Sequence, residues 1–235
     1  MKNLLVIMAI TAATSMFAQE QKQTVNVNNT FVIEDLSKIG AGAQNLGTSS
    51  VIINPPKKVE GSVHLFDGWN NRGVFVTNED KQYSLKNINY NVQRNVFESQ
   101  IGKDSVFTFN TDNVEKIVIN NRPFKSVYNP AVRAESIYEV IFENEDFAIL
   151  KRYELEVEEG SDNPMVIRPS RFILNDSYWV KKRNSVRSLK FKKKDIIKLA
   201  GKDAKALAKY ADENDLSFRD DADVTRILNG FYSKN

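Results

Sequence analysis

Ser105-Val106-Phe107-Thr108-Phe109, Val114-Glu115-Lys116-Ile117-Val118-Ile119 and Pro123-Phe124-Lys125-Ser126-Val127-Tyr128 are the three neighbouring runs that decide the fold of this chain. Each is short, rich in β-branched and aromatic residues, and bounded by turn-forming residues such as Asn110 to Asn113, which is the signature of strands. Working outward, the same pattern predicts strands near 61–66, 73–77, 82–90, 95–100, 104–109, 114–120, 123–128, 136–143, 146–155, 170–174, 177–182 and 186–191. Links 78–81, 101–104, 110–113 and 144–145 are short and carry Asn, Asp or Gly, residues that tolerate tight turns. Parallel pairing needs long crossovers, and none is available between these runs, so the expected sheet is an antiparallel meander. It is either open or curved into a half-barrel.

The period changes after Phe191. Ile196, Leu199, Ala200, Ala204, Leu207 and Tyr210 recur at helical spacing over 194–212, with Gly201 as a weak point. Asp220, Asp221 and Asp223 then mark the start of a second helix, whose stripe is Val224, Ile227, Leu228 and Phe231. Gly230 is poor in a helix interior and predicts a frayed last turn. Two short amphipathic helices need a partner surface, so they are expected to pack on the sheet. The predicted fold class is α+β, with a meander over 61–191 and two C-terminal helices over 194–232.

The 235-residue chain begins with Lys2, an apolar run from Leu4 to Ile10, and small residues leading to Phe17-Ala18. That order is read as a signal peptide over 1–18, cleaved after Ala18. Its apolar part is too short for a bilayer, which needs about 20 residues. Residues 19–58, with frequent Asn and Gln, Gly40, Gly42, Gly47 and Pro55-Pro56, read as a flexible lead-in. Within it, Val25 and Val27 suit an edge strand, and Phe31-Val32-Ile33 suits docking onto the domain. Residues 59–235 are expected to form a single α+β domain. Export to the periplasm, or beyond the cell, follows from the leader, and no transmembrane span is expected in the mature chain. With no cysteine available, stability must come from apolar burial.

The stretch Leu65-Phe66-Asp67-Gly68-Trp69, then Asn87-Ile88-Asn89-Tyr90-Asn91, resembles a group of exported proteins of Bacteroidetes-type bacteria. In that group an early Trp-Gly hairpin leads into an Asn-Tyr-Asn strand. The Lys-rich helix, the Asn214 to Phe218 link, the closing Phe231-Tyr232 and the Phe17-Ala18-Gln19 leader end are similar too. The resemblance implies location in the cell envelope and carries no assigned activity.

Constellations for chemistry are sparse. His64 is the lone histidine and reads as a structural strand residue. One His and no Cys exclude a His-rich or thiolate metal centre. Neither Gly-x-Ser-x-Gly nor Ser-x-x-Lys occurs. Gly40-x-Gly42 finds its next glycine at Gly47, too late for a dinucleotide loop. The 212–223 stretch has the length of a calcium loop, yet Leu216 and Ser217 stand where a ligand and a glycine belong. Glu154, Glu156 and Glu158 fall on one strand face and read as a solvated surface that discourages edge pairing. No catalytic residue, metal or cofactor is therefore expected. Glu98 and Asp104 are carboxylates that a hydrolase would use, but no spacing selects them as a pair.

Two surfaces remain. Trp69 and Tyr90 are candidates to line a small-molecule or glycan pocket in a curved sheet. Lys190, Lys192, Lys193 and Lys194 lie in a basic strip running from Lys181 to Lys209. It suits envelope proteins or an anionic membrane surface. Net charge is only +3, falling to +2 without Lys2, so nucleic acid is not an expected partner. The expected function is that of a non-enzymatic envelope protein acting by contact, with the ligand-binding module as the alternative.

Overall fold

One of the chain's crossings between two sheets takes a single residue, Asn87, whose φ of +56° is the left-handed region that asparagine tolerates. The expected strand over 82–90 is bent there into two strands that belong to different sheets. In this computed structural model the described residues are 25–26, 30–32, 47–51, 59–161 and 168–233. The expected signal peptide and most of the lead-in lie outside them.

The strands are β1 Val25–Asn26, β2 Thr30–Val32, β3 Gly47–Val51, β4 Arg72–Thr77, β5 Gln82–Lys86, β6 Ile88–Asn91 and β7 Val96–Gly102. They continue as β8 Ser105–Phe109, β9 Val114–Ile119, β10 Arg122–Asn129, β11 Ala134–Glu143, β12 Ala148–Glu158, β13 Arg171–Lys182 and β14 Ser185–Ser188. Ten form a large sheet in the order β1-β2-β5-β4-β9-β10-β11-β12-β13-β14, and four form a small one, β3-β8-β7-β6. All pairings between these strands are antiparallel except β2 with β5. The fold is thus α+β and built on antiparallel meanders, β9 to β14 being an uninterrupted one.

Three further details of the strands differ from the sequence reading. Residues 61–66 make only an isolated bridge, His64 with Asn91, and are otherwise a loop laid along β6. Asn175 and Asp176 do not separate two strands; they pair with Glu154 and Tyr153 inside the continuous β13. Residues 110–113 are not a hairpin link, because β8 lies in the small sheet and β9 in the large one. The lead-in contributes β1 and β2 to one margin of the large sheet and β3 to a margin of the small one.

Helix α1 spans Lys193–Leu199, α2 Ala204–Glu213 and α3 Asp221–Tyr232. The single helix expected over 194–212 is broken at Gly201, whose φ is +58°, and resumes through a 3-10 turn, Gly201–Asp203. Gly230 does not fray α3. A Cβ there would collide with the Tyr210 hydroxyl of α2, so the glycine makes room for that ring against α3.

Burial follows the strand phase. Phe75, Leu85, Ile117, Ile119 and Phe124 of the large sheet meet Tyr90, Phe97, Phe107 and Phe109 of the small one in a first core. Ile141, Ile149 and Val180, farther along the large sheet, meet Ile196, Leu207, Val224, Ile227 and Leu228 of the helices in a second. Val127 of β10 and Val186 of β14 share a third cluster with Tyr138 and Leu150. Sheet neighbours four strands apart therefore meet, so the large sheet curls strongly without closing into a barrel.

Candidate functional site

Between the first two cores the large sheet is floored by charge. Arg122, Glu139 and Lys151 come from three adjacent strands, with Glu139 opposite both Phe124 and Lys151 in the registers. The two-residue turn Asn120-Asn121, with φ of +49° and +66°, is the mirror-image turn that suits a hairpin twist. It delivers Arg122 as the first residue of β10. Arg122 Nε and Nη2 donate to the two Glu139 oxygens at 2.8 and 2.7 Å. Nη2 also donates to the Tyr153 hydroxyl, which in turn donates to Glu139. Phe66, Phe124 and Tyr153 hold rings 4.9, 5.7 and 5.5 Å from the guanidinium carbon.

Lys151 extends the row toward the helices. Its Nζ donates to Asp221 Oδ2 at 2.8 Å and lies 3.5 Å from Asp176. The Tyr178 hydroxyl donates to the other Asp221 oxygen at 2.7 Å. Asp221 is in the first turn of α3, where the helix dipole favours a carboxylate. Asp220 caps the same helix by accepting from the N–H groups of Ala222 and Asp223. A helix end thus rests on a lysine of the sheet.

These partners govern protonation. Burial by itself would lower the Lys151 pKa, but the hydrogen bonds with Asp221 and Tyr178 outweigh it and hold the ammonium charged. Burial is also the main cause that pushes Tyr153 up, reinforced by Glu139, and that pushes Tyr178 up to about 12. The result is a cleft of about 1040 Å³. Its floor is the charged row, one wall is the start of α3, and Leu65 and Leu174 add an apolar lip.

The loop beside this cleft is held by asparagines. Asn89, 1% exposed, accepts from the Phe66 N–H and donates to the carbonyls of Phe66 and Gly68. Asn91 donates to Glu98 Oε2, which His64 Nε2 meets at 2.9 Å, while Arg94 reaches Oε1. Burial would raise the pKa of Glu98. The hydrogen bonds from His64 and Asn91, with the attraction of His64 and Arg94, hold it below the usual carboxylate value instead. His64 and Glu98 are therefore a loop anchor.

The residues singled out from sequence end up apart. Tyr90 is 1% exposed in the first core and donates to Asn95, so it lines no open pocket. Trp69 is half-buried, its ring centroid 4.6 Å from that of His64. Neither Trp69 nor Tyr90 lines the cleft. Lys190, Lys192, Lys193 and Lys194 are all exposed. Lys193 pairs with Asp212 at 3.1 Å, whereas the other three have no acidic partner among the described residues. Glu154 pairs with Arg152, and Glu158 with Arg168 and Arg171, as a solvated face does.

The charged row escaped the reading of the sequence, although its signal is present. Arg122 is in phase with Phe124, Glu139 with Ile137 and Ile141, and Lys151 with Ile149 and Tyr153. Charge in the buried phase of three successive strands marks a site or a paired network.

Comparison with protein-family models, with curated proteins and with solved structures finds no match. Among the described residues, no group of three or more His, Cys, Asp or Glu is placed to hold a metal ion, and no helix is long and apolar enough to cross a membrane.

Proposed function

We propose that this is an exported, non-catalytic protein of the bacterial envelope that works by contact with an anionic surface. The observation that carries the reading is the cluster Lys190, Lys192 and Lys194, exposed and without a carboxylate partner among the described residues. Arg183 and Arg187 are exposed beside them in sequence. Lys81, Lys125, Lys151, Arg168 and Arg171 sit within reach of a carboxylate, and exposed lysines without one elsewhere, such as Lys86 and Lys103, stand singly in the sequence. An unneutralised basic patch attracts an anionic lipid surface at a distance set by the Debye length, and each lysine contributes about fivefold in affinity. Export rests on the leader, and the resemblance to exported proteins of Bacteroidetes-type bacteria agrees with it.

Sedimentation of the chain beginning at Gln19 with vesicles tests this. Binding to vesicles rich in anionic phospholipid, but not to phosphatidylcholine vesicles, is expected at low salt and weakens as salt rises. Replacing Lys190, Lys192 and Lys194 together by Gln lowers that binding by about two orders of magnitude. Equal binding of the wild type to both vesicle types overturns the reading; retention by an acidic envelope protein with no vesicle binding shifts it to a protein partner.

A further inference from the structure

A second, independent feature is the cleft between α3 and the Leu65 loop. We propose that it binds an uncharged, polyhydroxylated ligand, a neutral oligosaccharide, through Arg122 and Glu139.

Arg122 is matched by Glu139 and Lys151 by Asp221 inside the cleft, and its other charged residues are compensated too: Glu143 pairs with Lys125, Arg226 with Asp223, and Asp220 accepts the Ala222 and Asp223 N–H groups at the start of α3. A ligand with a net charge of either sign would enter beside a like charge without meeting an uncompensated opposite one. Desolvating it there is unfavourable. A neutral ligand carries no such penalty.

Hydrogen-bonding capacity then selects the neutral class. Arg122 uses Nε and Nη2 on Glu139 and Tyr153, leaving both N–H groups of Nη1 without a partner among the described residues. Its side chain is 34% exposed, on the cleft floor. Glu139 Oε1 accepts one bond and has a second lone pair. A rigid donor beside a rigid acceptor is the complement of a hydroxyl, which accepts and donates through one oxygen, and of vicinal hydroxyls in particular. Asn229, also on the cleft wall, offers the same donor–acceptor combination. The apolar lip of Leu65 and Leu174 suits the C–H face of a sugar ring. The guanidinium is fixed by three rings and a bidentate carboxylate, so little ordering is required when ligand arrives. The cleft volume accommodates two or three sugar rings.

The step from Trp69 and Tyr90 to this cleft changes the location expected for a ligand and retains its class. The inference does not rest on the basic patch, and the two have separate tests.

Titration calorimetry with maltotriose, cellotriose, triacetylchitotriose and tri-galacturonic acid decides it. Saturable binding of at least one of the three neutral trisaccharides is expected, tighter than that of the charged one. Arg122→Ala alone is open to misfolding, because it strands a buried carboxylate. The informative variant is therefore Arg122→Met/Glu139→Leu/Tyr153→Phe, which replaces the network by apolar side chains of similar size and is expected to keep the thermal midpoint. It should lose affinity by at least about tenfold, the scale of one hydrogen bond to a charged group. Ala222→Trp, an exposed position on the cleft wall, should block binding without altering the floor. Lys190→Gln/Lys192→Gln/Lys194→Gln should leave it unchanged. No saturable binding by any neutral trisaccharide up to about 10 mM overturns the proposal, as does tighter binding of tri-galacturonic acid, or wild-type affinity in the apolar triple variant.

Discussion

The side-chain oxygen of Asn95, in the turn between β6 and β7, accepts the backbone N–H of Ile137 in β11 at 3.0 Å. One side chain of the small sheet thereby completes the hydrogen bonding of the large one. The need arises because β12 leaves β11 beyond the Glu139–Lys151 pair and continues with β13 alone. The same oxygen accepts from the buried Tyr90 hydroxyl.

Asn95→Gly keeps the left-handed backbone (φ +54°) but removes both bonds. Two buried donors are left without an acceptor, which costs about 1–3 kcal/mol each. Urea denaturation should show a lower midpoint with an unchanged slope. A loss below about 0.5 kcal/mol would mean that water replaces the amide.

Gly230→Ala is expected to destabilise, against the ordinary gain of about 1 kcal/mol for this change inside a helix. The new methyl meets the Tyr210 hydroxyl, and overpacking costs about 1–3 kcal/mol. Gly230→Ala/Tyr210→Phe should recover part of that loss in thermal melts. An additive pair of single effects would count against the contact as the cause.

Glu98 gives a pH dependence. Its carboxyl titrates below the ordinary value in the folded protein, so its contribution is present above about pH 4.5 and is lost as pH falls through the folded value. Glu98→Gln should therefore lower the thermal midpoint near neutral pH, and the gap to the wild type should narrow as the pH falls below 4.5. A gap that stays constant across that range would show that the carboxylate charge is not what anchors the His64 loop.

At the alkaline end Tyr178 acts with the opposite sign. Its folded pKa of about 12 exceeds the ordinary 10.0, so the stability it supports is complete below about pH 10 and is lost as pH rises toward 12. Tyr178→Phe should make the melting temperature less sensitive to pH in that interval. Absorbance of ionised tyrosine, followed through the same titration, should show one tyrosine fewer ionising near pH 12 in the folded variant than in the folded wild type.

Strand existence was legible from residue type, as β8 to β12 demonstrate, because side chains alternate with local period and the turns are rich in Asn. Sheet membership was not. Whether β6 pairs beside β5 or in a second layer depends on Asn87 alone, and Asn also occurs in ordinary turns. Asn175-Asp176 illustrates the reverse error: two turn formers lie within a strand because β12 pairs with both. The charged floor was hidden because Arg122, Glu139 and Lys151 are far apart in sequence and meet only through register. The basic strip was readable because solvated lysines need no tertiary partner.

The curl that brings Val127 and Val186 into one cluster also bears on self-association. A margin bent back toward its own strands is a poor template for a foreign chain, and at the opposite margin β1 is only two residues long. Ribbon-like stacking of copies along the large sheet therefore has little to nucleate on among the described residues.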